Sequence, residues 1–163
     1  MSIANQSPMK EDVWAYPRPP AIEPVARSVR IVFAGKTIAV TTEALRVLET
    51  SHPPVYYLPP SAFTGCTLER ASGAASVCEW KGAATYWDIR AGTEVARSAA
   101  WSYAKPTPAY AALRDHIAVY AGAMEQCFVG DELVTPQPGG FYGGWITSEI
   151  KGPFKGGPGT MGW

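Results

Sequence analysis

Disulfide-forming cysteine, a secretory signal and long apolar runs are all scarce or missing in this 163-residue sequence. Its three cysteines are Cys66, Cys78 and Cys127. So small and odd a number is typical of a protein from a reducing compartment, not of a disulfide scaffold. No apolar run approaches the length of a membrane span, and residues 1–10 lack the basic and apolar regions of a secretory signal. We therefore expect a cytoplasmic protein with no membrane partner.

An excess of charge of either sign is also absent. Lys plus Arg and Asp plus Glu each number 14, so the formal net charge is zero. A protein that binds nucleic acid by neutralising phosphates carries a basic excess, so no nucleic-acid partner is expected. Hydrophobic residues make up 47% and charged residues 17% of the chain, which excludes general disorder. The length predicts one hydrophobic core.

Glycine and proline are abundant, with 16 and 15 residues, and a helical bundle does not tolerate so many helix breakers. Six Trp and eight Tyr favour strands. The sequence predicts a mainly β fold of antiparallel hairpins with one or two short helices. Residues 1–27 are predicted to form a Pro-rich extension and residues 28–163 a single β-rich domain. Nine Gly and four Pro after residue 135 predict an irregular C-terminal segment whose aromatic side chains cover the domain.

Alternating apolar residues predict four hairpins, which pair 29–33 with 37–40, 64–68 with 76–80, 85–89 with 95–103, and 126–129 with 132–135. Single strands are expected at 55–58 and 117–120, a helix at 41–49, and a helical turn at 109–114. The second hairpin would place Cys66 opposite Cys78, within reach of a reversible disulfide. The alternative is two small buried hydrophobic side chains.

Motifs for metal or phosphate chemistry are incomplete. The sequence has no Cys-x-x-Cys pair and only two histidines, so we expect no metal and no cofactor. The glycine-rich tail at 152–160 departs from a phosphate loop, because Lys155 precedes the glycines and Pro158 interrupts them. Arg46 and Glu49 are expected to form a surface pair on the predicted helix.

Aromatic residues on consecutive predicted strands form the strongest candidate site. Trp101 and Tyr103 are two residues apart and therefore share one face of a strand. Aromatic walls with a few polar groups are typical of small-molecule pockets, and a hydrophobic core rich in Trp and Tyr is the alternative. The candidate ligand-binding residues are Trp80, Lys81, Tyr86, Trp101, Tyr103, Tyr142 and Trp145.

Four stretches resemble a known family, namely 54–59 (PVYYLP), 77–87 (VCEWKGAATYW), 99–103 (AAWSY) and 139–145 (GGFYGGW). The family is catalogued as domain of unknown function 427 and also labelled nucleotidyltransferase family 9, and the resemblance extends over residues 28–163. It implies a β-tent architecture, related to the ligand-binding domain of cereblon and to the Yippee proteins. Those relatives bind zinc through paired cysteines, which this sequence lacks.

The resemblance also implies a ligand site. The related domains enclose their ligand in a cage of Trp residues, and by analogy Trp80, Trp101 and Tyr103 are cage candidates. No residues support the nucleotidyltransferase label, because paired carboxylates for Mg²⁺ are missing.

Three functions remain open at this point. The favoured one is a small-molecule or modified-residue binding module that uses an aromatic cleft with Lys81 or Arg46 at its rim. The second is a nucleotide-handling enzyme, which would place Cys78 or Lys81 beside a carboxylate in that cleft. The third is a structural or protein-interaction domain, expected to expose an apolar patch and to form a homodimer.

Overall fold

Short strands build this molecule, and they are connected by 3-10 helices and turns. The computed structural model describes residues 10–72, 76–78 and 80–163. In chain order its strands are β1 (Glu11–Asp12), β2 (Ala21–Pro24), β3 (Val29–Phe33), β4 (Lys36–Thr41), β5 (Leu45–Leu48), β6 (Val55–Tyr57), β7 (Thr67–Arg70), β8 (Ser76–Cys78), β9 (Gly82–Ala91), β10 (Glu94–Ser102), β11 (Ile117–Val119), β12 (Gln126–Val129), β13 (Glu132–Leu133), β14 (Thr135–Pro136), β15 (Trp145–Ile146) and β16 (Ile150–Lys151). The 3-10 helices are Val13–Ala15, Pro60–Ala62, Pro108–Leu113 and Ala121–Ala123.

Three antiparallel sheets carry most of the chain. The first has the order β11-β10-β9-β7, with β8 also paired to β9, the second β13-β12-β3-β4, and the third β2-β5-β6. Two smaller pairs are β14 with β15 and, in parallel, β1 with β16. The predicted mainly β fold of antiparallel hairpins is therefore confirmed. The β-tent architecture implied by the resemblance stays a prediction.

Three of the four predicted hairpins form, and one does not. β3 pairs with β4, β9 with β10, and β12 with β13. The predicted hairpin of β7 with β8 is wrong, because both strands pair with β9 along different parts of its length. Cys66 and Cys78 consequently contact different core clusters, and both are free thiols. Residues 73–75 of the predicted turn lie outside the described residues.

The helix predicted at 41–49 is also wrong. Residues 45–48 form the central strand β5, which pairs with β2 on one side and β6 on the other. Pairing on both sides satisfies the backbone hydrogen bonds of β5, and the β-branched Val47 is buried in the sheet. Arg46 forms ion pairs with Glu23 and Glu11 across the strands, so the predicted Arg46–Glu49 pair does not form. The predicted helical turn at 109–114 is present as the 3-10 helix Pro108–Leu113.

The described part of the N-terminal extension, residues 10–27, lies along the sheets and supplies two strands. β2 pairs with β5, and β1 pairs with β16 near the C-terminus. Val13 is fully buried in a small cluster with Leu48 and Ile150. These apolar contacts attach both ends of the described chain to the sheet that contains β5.

Two further hydrophobic clusters divide the interior. The larger one lies between the first two sheets, and the smaller one is rich in aromatic residues. Leu58 and Ile117 exchange two backbone hydrogen bonds of 2.8 Å, which join the edges of the third and first sheets. This junction brings side chains of β5, β6 and β10 into the smaller cluster, where the candidate site lies.

Candidate functional site

A cavity of about 330 Å³, called here the inner cavity, lies against the aromatic cluster. Six of the seven candidate residues line it, namely Trp80, Lys81, Tyr86, Trp101, Tyr103 and Tyr142. Other residues that line it include Glu49, His52, Tyr57, Cys78, Tyr120 and Lys155. The fold therefore brings together side chains from β6, β8, β9 and β10 and from the C-terminal segment.

Trp145 does not line this cavity, contrary to the sequence-based expectation. Its side chain is 1% exposed and stacks on Tyr56 with 5.1 Å between ring centres. Its indole N–H donates a hydrogen bond to the Val119 carbonyl oxygen at 3.0 Å. Trp145 is a core residue, because its short strand β15 directs the ring into the larger hydrophobic cluster.

Trp101 and two tyrosines form the wall of the cavity. The Trp101 and Tyr57 rings meet edge to face at 6.4 Å, and the indole N–H of Trp101 donates to the Tyr57 hydroxyl at 3.4 Å. The Tyr103 ring lies 6.4 Å from Tyr57. Burial raises the pKa of both tyrosine hydroxyls, so both are neutral donors and acceptors at neutral pH. The aromatic residues thus belong to the core and also provide the cavity surface.

Trp80 and Lys81 are positioned through their backbone. The Trp80 carbonyl accepts a hydrogen bond from the Thr107 hydroxyl, and the Lys81 carbonyl accepts one from the Thr107 N–H at 3.1 Å. Gly82 follows with φ +109°, and a Cβ there would lie 3.3 Å from the Lys105 carbonyl oxygen. A glycine at this point therefore allows the chain to turn into β9 close to the segment around Thr107.

The loop at 138–144 covers one side of the wall. A Cβ on Gly143 would lie 2.1 Å from the Trp101 ring, so the loop backbone rests directly on the indole. The Tyr120 hydroxyl donates to the Phe141 carbonyl oxygen at 2.8 Å. The Gly144 N–H donates to the side-chain oxygen of Gln137 at 3.0 Å. These contacts fix the loop over the cavity.

Gln137 determines which nitrogen of His52 carries the proton. Because its amide oxygen accepts from Gly144, its NH₂ group is the donor to the Lys155 carbonyl at 2.7 Å and to His52 Nδ1 at 3.4 Å. His52 Nδ1 is then an acceptor, and the proton lies on Nε2. That Nε2 is 3.7 Å from a carboxylate oxygen of Glu49.

His52 is neutral at physiological pH. Burial lowers its pKa from 6.5 to about 4, with further lowering by the positive charges of Lys155, Arg18 and Lys81. The imidazole therefore contributes an N–H donor to the cavity rather than a charge.

The inner cavity is lined by two cations, Lys81 and Lys155. Among its described lining residues, Glu49 supplies the single carboxylate. Lys81 is only 8% exposed. The Lys155 ammonium lies 5.3 Å from the centre of the Tyr142 ring. Within the described residues, neither ammonium forms an ion pair or a side-chain hydrogen bond.

A second space of about 530 Å³, the outer cavity, adjoins the inner one. The two share Ser76, Tyr86, Tyr120, Phe141, Tyr142 and Gly143. The glycine-rich loop at 139–144 forms much of its lining. The outer cavity therefore extends the candidate site along the covering loop.

Sequence reasoning missed several polar residues of the site. The sequence pattern places Glu49 in the predicted helix at 41–49 and Lys155 in the glycine-rich tail, and it gives His52 no role in the site. Tyr57 lies in one of the stretches that carry the family resemblance, which was a usable signal. Arg46, expected at the rim, instead pairs with Glu11 and Glu23 and is absent from the described lining.

The described residues contain no cluster of metal ligands and no membrane-spanning helix. No three His, Cys, Asp or Glu side chains there converge as a metal site would require. None of the described helices is long and apolar enough to cross a membrane.

Comparison with known protein families gives a match over most of the chain. A family model described as "Domain of unknown function (DUF427)" matches residues 21–130, which carry most of the cavity-lining strands. No curated protein matches the chain.

Proposed function

The chain belongs to the family described as a domain of unknown function, DUF427, and from the inner cavity we propose that it is a binding module for a small molecule or a modified side chain with a planar group. The observation that supports this proposal is the convergence of Trp80, Trp101 and Tyr103 with Lys81 and His52 around one concave space.

The size and lining of the inner cavity fit such a ligand. Small-molecule sites commonly have volumes of about 300–1,000 Å³, apolar walls and a few polar groups that fix orientation. The inner cavity, at about 330 Å³, lies at the small end of this range. A ligand of one or two rings would pack against Trp80 and Trp101 while its polar end faces Lys81 and His52.

Replacing Trp80 provides the direct test of this proposal. Trp80 is partly exposed, so Trp80→Ala removes a wall of the cavity with less damage to the core than Trp101→Ala would cause. A thermal-shift screen against nucleotides, cofactors and metabolites identifies ligands, and tryptophan fluorescence then measures their affinity. We expect Trp80→Ala to weaken binding about tenfold, because an aromatic contact contributes about 0.5–1.5 kcal/mol beyond the area that it buries.

Trp163→Ala is the matched control, since Trp163 lines neither cavity. It is expected to bind as the unmodified protein does. Equal loss in both variants, or ligands whose affinity neither variant changes, would refute binding in the inner cavity.

An enzyme that acts on the bound molecule is the second candidate. The observation that favours it is the Glu49 carboxylate 3.7 Å from His52 Nε2 beside the cavity, which is a plausible pair for proton transfer. Each ligand found in the screen is incubated with the protein and analysed for product. Glu49→Gln should abolish turnover and retain binding if this function is correct, and unchanged ligands would exclude it.

A protein-interaction domain is the third candidate. Val77 and Phe141 line the inner cavity and are 79% and 62% exposed, so they present apolar surface at its mouth. Sedimentation of the purified chain tests the homodimer that this function predicts. A monomer at micromolar concentrations would contradict it.

A further inference from the structure

We propose that the ligand of the inner cavity is a planar acid whose carboxylate or phosphate group binds between Lys81 and Lys155, next to His52. This inference rests on the proposed binding function and specifies its ligand class.

The first of the cations that line the cavity is Lys81. The Lys81 residue is only 8% exposed, and its ammonium has no ion-pair or hydrogen-bond partner among the described residues. In the described part of the chain, Ser51 Oγ is the one buried side-chain polar atom without a hydrogen-bond partner, so the Lys81 ammonium is not sealed in the interior. A lysine often buries its carbon chain and keeps its ammonium open to water or to a ligand. The Lys81 carbonyl accepts a hydrogen bond from the Thr107 N–H at 3.1 Å, which fixes the backbone from which the side chain extends. An acidic ligand group would supply the missing partner.

Lys155 approaches the same region from the C-terminal segment. Its N–H donates to the Ser51 carbonyl at 2.9 Å, and its carbonyl accepts from the Gln137 side chain at 2.7 Å. Its ammonium lies above the Tyr142 ring. These two hydrogen bonds fix the backbone of Lys155. Its side chain lines the inner cavity together with Tyr142.

His52 lines the same cavity as the two cations. The positive charges of both lysines contribute to the lowered pKa of its imidazole. Since Nδ1 accepts from Gln137, Nε2–H is a donor available to an anionic oxygen. Glu49 faces this ring and Arg18 also acts on it, so the described charged groups around His52 are three cations and one carboxylate.

The aromatic wall determines the rest of the ligand. An inorganic anion would occupy only the cationic end and leave the Trp80 and Trp101 surfaces uncovered. A planar ring attached to the acid would cover them. The combination of two cations, one N–H donor and an aromatic wall therefore fits an aromatic or heterocyclic acid.

A matched set of probes separates this inference from the proposed function. Indole-3-acetate, indole-3-acetamide and tryptamine share one ring and differ in charge, while phenyl phosphate and inorganic phosphate test the phosphate form with and without a ring. Binding of each is measured by calorimetry at low salt. We expect indole-3-acetate or phenyl phosphate to bind at least tenfold more tightly than the amide, and tryptamine and inorganic phosphate to bind most weakly.

The Lys81→Met variant shows which residue is responsible. Lys81→Met should remove the preference for indole-3-acetate over indole-3-acetamide. Lys151→Met, at an exposed lysine outside both cavities, should keep that preference. The melting temperature of Lys81→Met without ligand should stay close to that of the unmodified chain, because methionine keeps an apolar chain of similar length against the cavity wall.

Three results would overturn the inference. If the amide binds as tightly as the acid, or if Lys81→Met keeps the preference for the acid, the acidic ligand class is wrong and the binding function stands. If inorganic phosphate binds as tightly as phenyl phosphate, the cations act as an anion site without the aromatic wall. If no ring compound of either charge binds, the inference and the proposed function fail together.

Discussion

At the scale of single residues, a neutral histidine and a buried lysine set the chemistry of the inner cavity. His52 donates through Nε2 because Gln137 occupies Nδ1, and Gln137 is itself oriented by the Gly144 N–H. Lys81 remains as a cation that no described side chain compensates. The ligand that we propose would therefore present an electron-rich oxygen to these two residues.

The pKa of His52 makes folding stability depend on pH. The unfolded chain binds a proton on His52 below about pH 6.5, whereas the folded chain does so only below about pH 4. Unfolding therefore takes up a proton between these values, and the stability falls as the pH drops from 6.5 to 4. Since one pKa unit corresponds to about 1.4 kcal/mol, we expect His52 to account for a loss of about 3 kcal/mol.

Urea denaturation at pH 7 and pH 4.5 measures this contribution. His52→Gln should unfold with a smaller difference between the two pH values than the unmodified chain. The partly exposed His116 provides the control, and His116→Gln should keep the full difference. The same pH dependence in all three proteins would show that His52 is not held neutral by the fold.

Residue patterns predicted the aromatic wall better than its polar groups. The aromatic residues could be assigned because neighbouring strands place them on one surface, and this holds for any order of the strands in the sheet. They are Trp80, Tyr86, Trp101 and Tyr103. Glu49 and His52 were missed because they follow a strand that local sequence presented as a helix. Only long-range pairing, which local patterns do not contain, reveals their position.

At the scale of elements, the loop at 138–144 closes the site because it lies directly on Trp101. The loop has many glycines, and at Gly143 the reason is close approach, since a side chain there would overlap the indole. At Gly140 a Cβ would meet nothing within 4 Å. The two positions therefore have different tolerance for substitution.

Alanine at these two glycines tests the packing of the loop. Gly143→Ala should lower the free energy of unfolding by about 1–3 kcal/mol, the usual range for overpacking, and should change the near-ultraviolet circular dichroism of the Trp101 environment. Gly140→Ala is the matched control and should change neither quantity. Two variants of equal stability would show that the loop does not rest on the indole in solution.

Element prediction succeeded for local pairs and failed for distant ones. β3–β4, β9–β10 and β12–β13 are hairpins joined by short turns, so their pairing is encoded by neighbouring residues. β5 pairs with β2, which is distant in sequence, and β7 and β8 both pair with β9. These partners are set by tertiary burial and could not be predicted from the hydrophobic pattern of each segment.

At the scale of the whole molecule, both ends of the described chain meet beside the sheet that contains β5. β1 pairs with β16, and the Trp14 and Trp163 rings lie 5.2 Å apart. Arg46 of β5 adds ion pairs to Glu11 and Glu23, and its hydrogen bond lowers the pKa of the Glu11 carboxyl group. The C-terminal segment that supplies Lys155 is thereby attached to the N-terminal strand β1 and to Trp14.

The composition of the chain was sufficient to predict its fold class, since abundant glycine, proline and aromatic residues favour strands over helices. It was not sufficient to predict that a cavity would remain among the aromatic residues. Whether Trp101 packs against another side chain or borders an open space depends on how β6, β10 and the covering loop meet, and that arrangement follows from the complete fold.

A crystal structure of the chain soaked with indole-3-acetate tests whether a planar acid occupies the inner cavity. We expect electron density for the ring against Trp80 and Trp101, with the carboxylate in contact with the Lys81 ammonium. An inner cavity that stays free of the compound at concentrations that saturate binding, or a carboxylate directed away from Lys81, would contradict it.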